Sequence, residues 1–208
     1  FIPAGNTTPR TVFIRRGIYR EIVAFASKHA ITLLGENRRA TILAATNNAN
    51  FNPDLGGNPF GPGVAHPSAP SPATGPLYRR GLVLAHQVRD LTIANLTLRN
   101  TTPHGGSQAE ALIVNGDTTA RTILKDVDLF SFQDTLQLNG QAYVSGCCFE
   151  GDVDFMWGTG PSYFDHCTAR SVRSGAFFTQ VRNPPTNHGF VFVHCQFEGA
   201  PGIAENFL

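Results

Sequence analysis

Val144-Ser145-Gly146-Cys147-Cys148-Phe149 is followed twenty residues later by Phe164-Asp165-His166-Cys167-Thr168-Ala169. Both stretches place apolar side chains at offsets zero, three and five. The same template fits Ile93/Leu96/Leu98, Leu124/Val127/Leu129 and Phe192/Cys195/Phe197. The middle positions of the five copies are separated by 31, 20, 20 and 28 residues. Alternation marks a strand, and a step of three inside it marks a bend between two short strands. Recurrence at twenty or more residues, with insertions of variable length, predicts a right-handed single-stranded parallel β-helix. One coil cannot bury its apolar face alone, so the coils must stack.

Composition agrees with an all-β solenoid. Charged residues make up 15% of the 208, against 21 Gly and 14 Pro. Helical periodicity is nearly absent; residues 19–27 read equally well as helix or strand. Residues 11–14 already read as strand. One domain is expected over 1–208, interrupted by a Pro- and Gly-rich loop insertion at 50–76, a length that in a compact domain is usually functional or disordered. The formal net charge of +1 gives no reason to expect a nucleic-acid partner. No apolar run approaches the ~20 residues needed to span a bilayer, so no membrane partner is expected. No signal peptide is visible after Phe1.

Leu96, Val127, Cys147, Cys167 and Cys195 should form an inward ladder. The cysteines lack the spacing of a zinc cluster, and buried thiols are the expected state. A Cys147–Cys167 bridge would have poor geometry, because side chains on stacked strands run parallel. His166 and His194 each precede a ladder cysteine and should stack outward on the surface, a plainer reading than a metal site. No metal or cofactor is expected.

The same twenty-residue interval separates Asp134, in Gln133-Asp134-Thr135-Leu136, from Asp154, in Asp154-Phe155-Met156-Trp157-Gly158. The two aspartates should therefore lie on neighbouring coils. Gln108 lies 26 residues before Asp134, roughly one coil earlier. Gln133 reaches the same place as Asp134 only if the chain bends between them. Two carboxylates at close range cannot both ionise easily. The ionised one serves as nucleophile and the protonated one as donor to a leaving alcohol. Glutamine N–H groups serve a developing oxyanion without adding charge. The set makes an acyl-transfer site with no Ser and no metal. The plain alternative is that each Asp satisfies a turn.

The strings Gly17-Ile18-Tyr19-Arg20-Glu21, Gln108-Ala109-Glu110-Ala111-Leu112, Gln133-Asp134-Thr135-Leu136 and Asp154-Phe155-Met156-Trp157-Gly158 resemble, in this order, motifs of the pectin methylesterases. The resemblance runs from Thr11 to about Phe197. It implies a pectin-lyase-like β-helix, a secreted or periplasmic setting and an expected monomer acting on methylated homogalacturonan in pectin. It further implies Asp154 as nucleophile, Asp134 as acid and then base, and Gln108 and Gln133 as oxyanion donors. Trp157 and Phe155 resemble an aromatic floor for sugar rings, with core packing the alternative for Phe155. Gln137 stands where a sugar-stacking Tyr often follows.

The resemblance also implies an arginine, in a Gly-Arg-Pro-Trp-like motif, downstream of the nucleophile; no such motif precedes Leu208. The chain thus reads as a fragment of a longer esterase, truncated at both ends, prone to aggregation and weakly active by itself. Arg182 is the substitute considered for approach to Asp154. Without a nearby cation, neither aspartate has a stated reason to ionise first. Two other readings stay open: an acyl-CoA thioesterase-like hydrolase on the same fold, and a non-catalytic carbohydrate-binding β-helix. A pectate lyase would need a calcium-binding carboxylate cluster, and no third Asp falls on the face of Asp134 and Asp154.

Overall fold

The computed structural model describes residues 2–51 and 80–208, so the expected loop insertion at 50–76 lies, but for its first two residues, outside the described residues. Three short strands make each coil, and no helix occurs among the described residues. The first sheet stacks Arg10–Ile14, His29–Gly35, Arg89–Ala94, Arg121–Lys125, Gln141–Ser145, Ser162–Asp165 and Phe190–Val193. The second stacks Gly17–Tyr19, Thr41–Ala45, Thr97–Asn100, Asp128–Phe130, Cys148–Gly151, Thr168–Ser171 and Gln196–Gly199. The third stacks Val23–Ala26, Val83–His86, Leu112–Asn115, Leu136–Asn139, Met156–Gly158 and Thr179–Val181. Neighbouring strands pair in parallel throughout, as a right-handed parallel β-helix requires. Residues 19–27 contain strand and no helix: the end of Gly17–Tyr19 and all of Val23–Ala26 fall within them, joined by a non-strand link at 20–22.

The recurring template is the register of this solenoid. Its first positions pair across the first sheet, Ile93 with Leu124, then Val144, Phe164 and Phe192. Its last positions pair across the second sheet, Leu98 with Leu129, then Phe149, Ala169 and Phe197. The step of three has a local cause. The residue before each middle position has a left-handed backbone: Asn95 (φ 57°), Asp126 (54°), Gly146 (64°), His166 (52°) and His194 (52°). One such residue turns the chain between two sheets and resets the alternation, so apolar groups on both sides point inward. Asn, Asp, Gly and His tolerate this region better than other residues do.

Leu96, Val127, Cys147 and Cys167 are buried inside the corner, and Cys195 packs against the core. All four cysteines are free thiols. Burial pushes the Cys147 thiol well above its ordinary value, as expected of a thiol acting as a small hydrophobe. Phe149, Phe155 and Phe164 are fully buried. Phe164 meets Phe149 edge-on at 5.9 Å and stacks on Phe192 at 4.6 Å. Burying each ring contributes roughly 1.5–3 kcal/mol. His166 and His194 do face outward, their rings 4.6 Å apart, with Asp165 accepting from His166 at 2.7 Å. Among the described residues these three form the one group spaced to hold a metal, and they lie at the corner between the first and second sheets.

Candidate active site

The corner between the second and third sheets carries the acidic pair. Gln133 bridges to Val153 in parallel, and three residues further on Leu136 pairs with Met156. The Asp134 N–H donates to the Val153 carbonyl at 3.0 Å. Asp134 and Asp154 therefore occupy equivalent places on adjoining coils. Both have left-handed backbones, φ 64° and 51°. This is the bend that the adjacency of Gln133 and Asp134 required. The same left-handed turn recurs at the corners between the first and second sheets, so at Asp134 and Asp154 it is the geometry of the corner.

Register changes the view one coil earlier. Leu112 pairs with Leu136, so counting back two residues sets Glu110, rather than Gln108, at the place equivalent to Asp134. Gln108 is half-buried at the edge of the same corner, and its carbonyl accepts from the Ala49 N–H at 2.9 Å. Gln133 is half-buried as well, and its carbonyl accepts from the Ala109 N–H at 3.2 Å. Their side-chain amides make no hydrogen bond among the described residues. A cavity of about 60 Å³ opens beside Gln133, lined in part by Phe132, Asp152 and Val153.

The expectation that no cation lies near the aspartates is wrong. Arg80 Nη2 is 2.9 Å from Asp134 Oδ2. The Nε–H of the same guanidinium donates to Glu110 Oε1 at 2.9 Å and to Oε2 at 3.0 Å. Glu110 is fully buried and Asp134 and Arg80 nearly so. Burial, opposed by the pull of Arg80 and reinforced by Asp134, pushes the Glu110 carboxyl up to about 8. No third aspartate joins this face among the described residues, but a glutamate one coil back does, and it is held by an arginine. Asp154 is half-buried and has no ion pair among the described residues. Neither Arg80 nor Glu110 was singled out from sequence. The available signal was a glutamate between Ala109 and Ala111 opening an apolar strand, where an acid is buried only with a partner.

The aromatic residues divide. Phe155 is wholly buried and packs against Phe178 at 5.2 Å, so it is a core residue and cannot be a floor for sugar. Trp157, on Met156–Gly158, is 9% exposed. Arg80 lies over its ring at 5.6 Å and Arg182 at 5.1 Å, a cation–π arrangement. Arg182 makes no ion pair with Asp154; its guanidinium is exposed above the indole. Gln137 is buried on the neighbouring strand, level with Trp157. Asp152, also missed, is buried and accepts from His104 Nε2 at 2.9 Å.

Fold and corner together define a right-handed parallel β-helix bearing a stacked acidic pair, flanking amides and an arginine-capped indole at the lip of its third sheet. Comparison with known proteins is consistent with that class. A sequence model of the pectinesterase family matches residues 77–206. Pectinesterase 31 of Arabidopsis thaliana is 28% identical over 201 residues, covering 95% of this chain and 58% of that protein. A pectinesterase of Ralstonia solanacearum is 30% identical over 219 residues, covering 97% and 54%. The pectin methylesterase from Yersinia enterocolitica superposes with a TM-score of 0.74 at 26% identity, covering 97% of this chain and 64% of that one. The chain belongs to the pectinesterase family. It spans a little over half the length of the curated relatives it matches. No helix among the described residues is long and apolar enough to cross a membrane.

Proposed function

We propose that this chain carries the catalytic corner of a pectin methylesterase. The Asp154 carboxylate attacks the carbonyl carbon of a galacturonate C6 methyl ester. Gln108 and Gln133 donate amide N–H to the oxygen that becomes negative. The C6–OCH3 bond then breaks, Asp134 gives its proton to the departing methanol, and an acyl-Asp154 anhydride remains. Asp134, now a carboxylate, takes a proton from water, whose oxygen attacks the anhydride and frees Asp154 and the galacturonate.

The observation that carries this reading is the placement of Asp134 and Asp154 at equivalent left-handed corners of adjoining coils, with Gln133 in the bridge between them. Membership of the pectinesterase family supports the ester substrate. The thioesterase and the non-catalytic binding readings gain no support from the relatives named. Pectin is the partner in this reading, the protein acts as a monomer, and a substrate outside the cell places it in an extracellular or periplasmic setting. Arg182, exposed over Trp157, is in this reading a contact for galacturonate carboxylates.

The test is methanol release from methylated pectin by the chain and by Asp154→Asn and Asp134→Asn. Both variants are expected to lose on the order of 10³-fold or more in rate with the circular dichroism of the parent. A folded chain that releases no more methanol than Asp154→Asn would overturn the assignment.

A further inference from the structure

The corner between the first and second sheets gathers side chains of a different chemistry from the acidic corner. Asp165 pairs with Val193 across the first sheet, so the next residues, His166 and His194, stand at equivalent places on adjoining coils. Both have the same left-handed backbone, φ 52°. The fold therefore sends both imidazoles the same way, their rings 4.6 Å apart and tilted by 32°. Both turn Nδ1 towards one oxygen. Asp165 Oδ1 is 2.7 Å from His166 Nδ1 and 3.5 Å from His194 Nδ1. The other carboxylate oxygen, Oδ2, accepts from the Tyr143 hydroxyl at 3.3 Å, which orients the carboxylate from behind.

We propose that Asp165, His166 and His194 form a binding site for a divalent transition-metal ion of the zinc class, held by Asp165 Oδ1 and the two Nδ1 atoms. Zinc takes imidazole nitrogen and carboxylate oxygen at ~2.0–2.2 Å in a tetrahedral array, which sets donor atoms ~3.3 Å apart. The two distances to Asp165 Oδ1 fall on either side of that value, and all three donor atoms lie within 4.8 Å of one another. Side-chain rotation alone can close the set. Two imidazoles select against calcium and magnesium, which take oxygen ligands, and in favour of zinc, copper or nickel.

The ligands come from two coils, so the ion would tie the coil of Ser162–Asp165 to that of Phe190–Val193. The histidine side chains are 66% and 67% exposed, so an ion reaches them from solvent and keeps water at its open position. Binding needs both Nδ1 atoms without protons. The proton between His166 Nδ1 and Asp165 Oδ1 goes to solvent, and ligand bonds replace that hydrogen bond.

Two measurements with zinc chloride decide the matter, and neither depends on the esterase reading. The first is calorimetric titration of the chain and of His166→Asn, His194→Asn and the double variant. Asparagine suits the left-handed backbone, as Asn95 shows at φ 57° in the same corner ladder, so these variants should keep the parental circular dichroism. The parent is expected to bind one zinc ion with a micromolar Kd. Each single variant should bind ~10-fold more weakly or worse, and the double variant should lose the site. No uptake by the parent at millimolar zinc, or equal uptake by the double variant, would overturn the proposal. The second needs no variant: ¹H–¹⁵N spectra of the histidine rings during the titration. The Nδ1 signals of His166 and His194 should move together and saturate at one equivalent. Zinc-induced shifts confined to other histidines would mean that this corner is a surface stack and no more.

Discussion

Asp134 Oδ2 lies 2.9 Å from Arg80 Nη2, joining residues 54 apart in sequence. The guanidinium is anchored from behind by Glu110, whose side chain is fully buried. Removing one partner of a buried pair leaves an uncompensated charge, and Arg80→Ala is expected to destabilise by roughly 3–5 kcal/mol. Replacing Arg80, Glu110 and Asp134 together by apolar residues of similar volume removes the desolvated charges of the group and should leave stability within ~1–2 kcal/mol of the parent. Urea unfolding of the three proteins measures this. A single variant as stable as the parent would mean that the pair does not hold the corner.

The same burial gives stability a pH slope. The folded carboxyl of Glu110 is raised to about 8, so between the ordinary carboxylate range and about 8 the folded chain binds a proton that the unfolded chain does not. Stability from this group is therefore complete at low pH and declines as pH rises towards 8. The slope is at most about 1.4 kcal/mol per pH unit. Unfolding free energies at pH 5, 6.5 and 8 should fall more steeply for the parent than for Glu110→Gln. Equal slopes would contradict the raised value.

Much of the solenoid was legible because each corner is marked twice, by an apolar residue and by the Asn, Asp, Gly or His before it. The template does not reach the coil built from His29–Gly35 and Thr41–Ala45. There Leu33 aligns with Ile93 and Leu43 with Leu98, ten residues apart where the template has five. The extra residues at that corner hide the period. Asp134, Asp154 and Gln133 were legible from the twenty-residue step. Arg80 was not, because its partners lie 30 and 54 residues away and spacing cannot register a contact that depends on which coil follows which. Phe155 shows the limit of local patterns: beside a corner aspartate, one residue decides between cleft and core.

Gly158 ends the Trp157 strand with φ 146°, and a Cβ there would lie 2.0 Å from the Leu138 carbonyl oxygen. That atom is backbone of the adjoining coil, so relief requires the coils to part. Gly158→Ala is expected to cost more than ~3 kcal/mol and to release Trp157 from its setting. The change should appear as a lower unfolding midpoint together with a shift of the fluorescence of Trp157, the sole tryptophan. An Ala variant with the parental midpoint and emission would show that the coils yield at no cost.

Arg182 is exposed over Trp157 and makes no ion pair among the described residues. If it meets galacturonate carboxylates, its contribution is to binding and is screened by salt. Arg182→Ala should raise KM for pectin several-fold at low ionic strength, with kcat within about twofold, and the difference should shrink at high salt. A fall in kcat at unchanged KM would place Arg182 in the chemistry instead.

Asp154 holds a left-handed backbone at φ 51°, a conformation costing a side-chain-bearing residue roughly 1 kcal/mol that glycine does not incur. In the corner ladder between the first and second sheets, glycine already stands at Gly146 with φ 64°, so the turn itself does not need a carboxylate. Asp154 is half-buried and unpaired among the described residues, so its removal leaves no buried partner stranded. Asp154→Gly should therefore fold with stability equal to the parent or up to ~1 kcal/mol higher, while losing methanol release by on the order of 10³-fold. Asp154→Val, with a β-branched side chain forced into the same region, should lose both stability and activity. Unfolding and methanol assays on the two variants separate the corner from its chemistry. If Asp154→Gly unfolds more easily than the parent, the aspartate is a turn-forming residue, and its place at the corner is no longer an argument for catalysis.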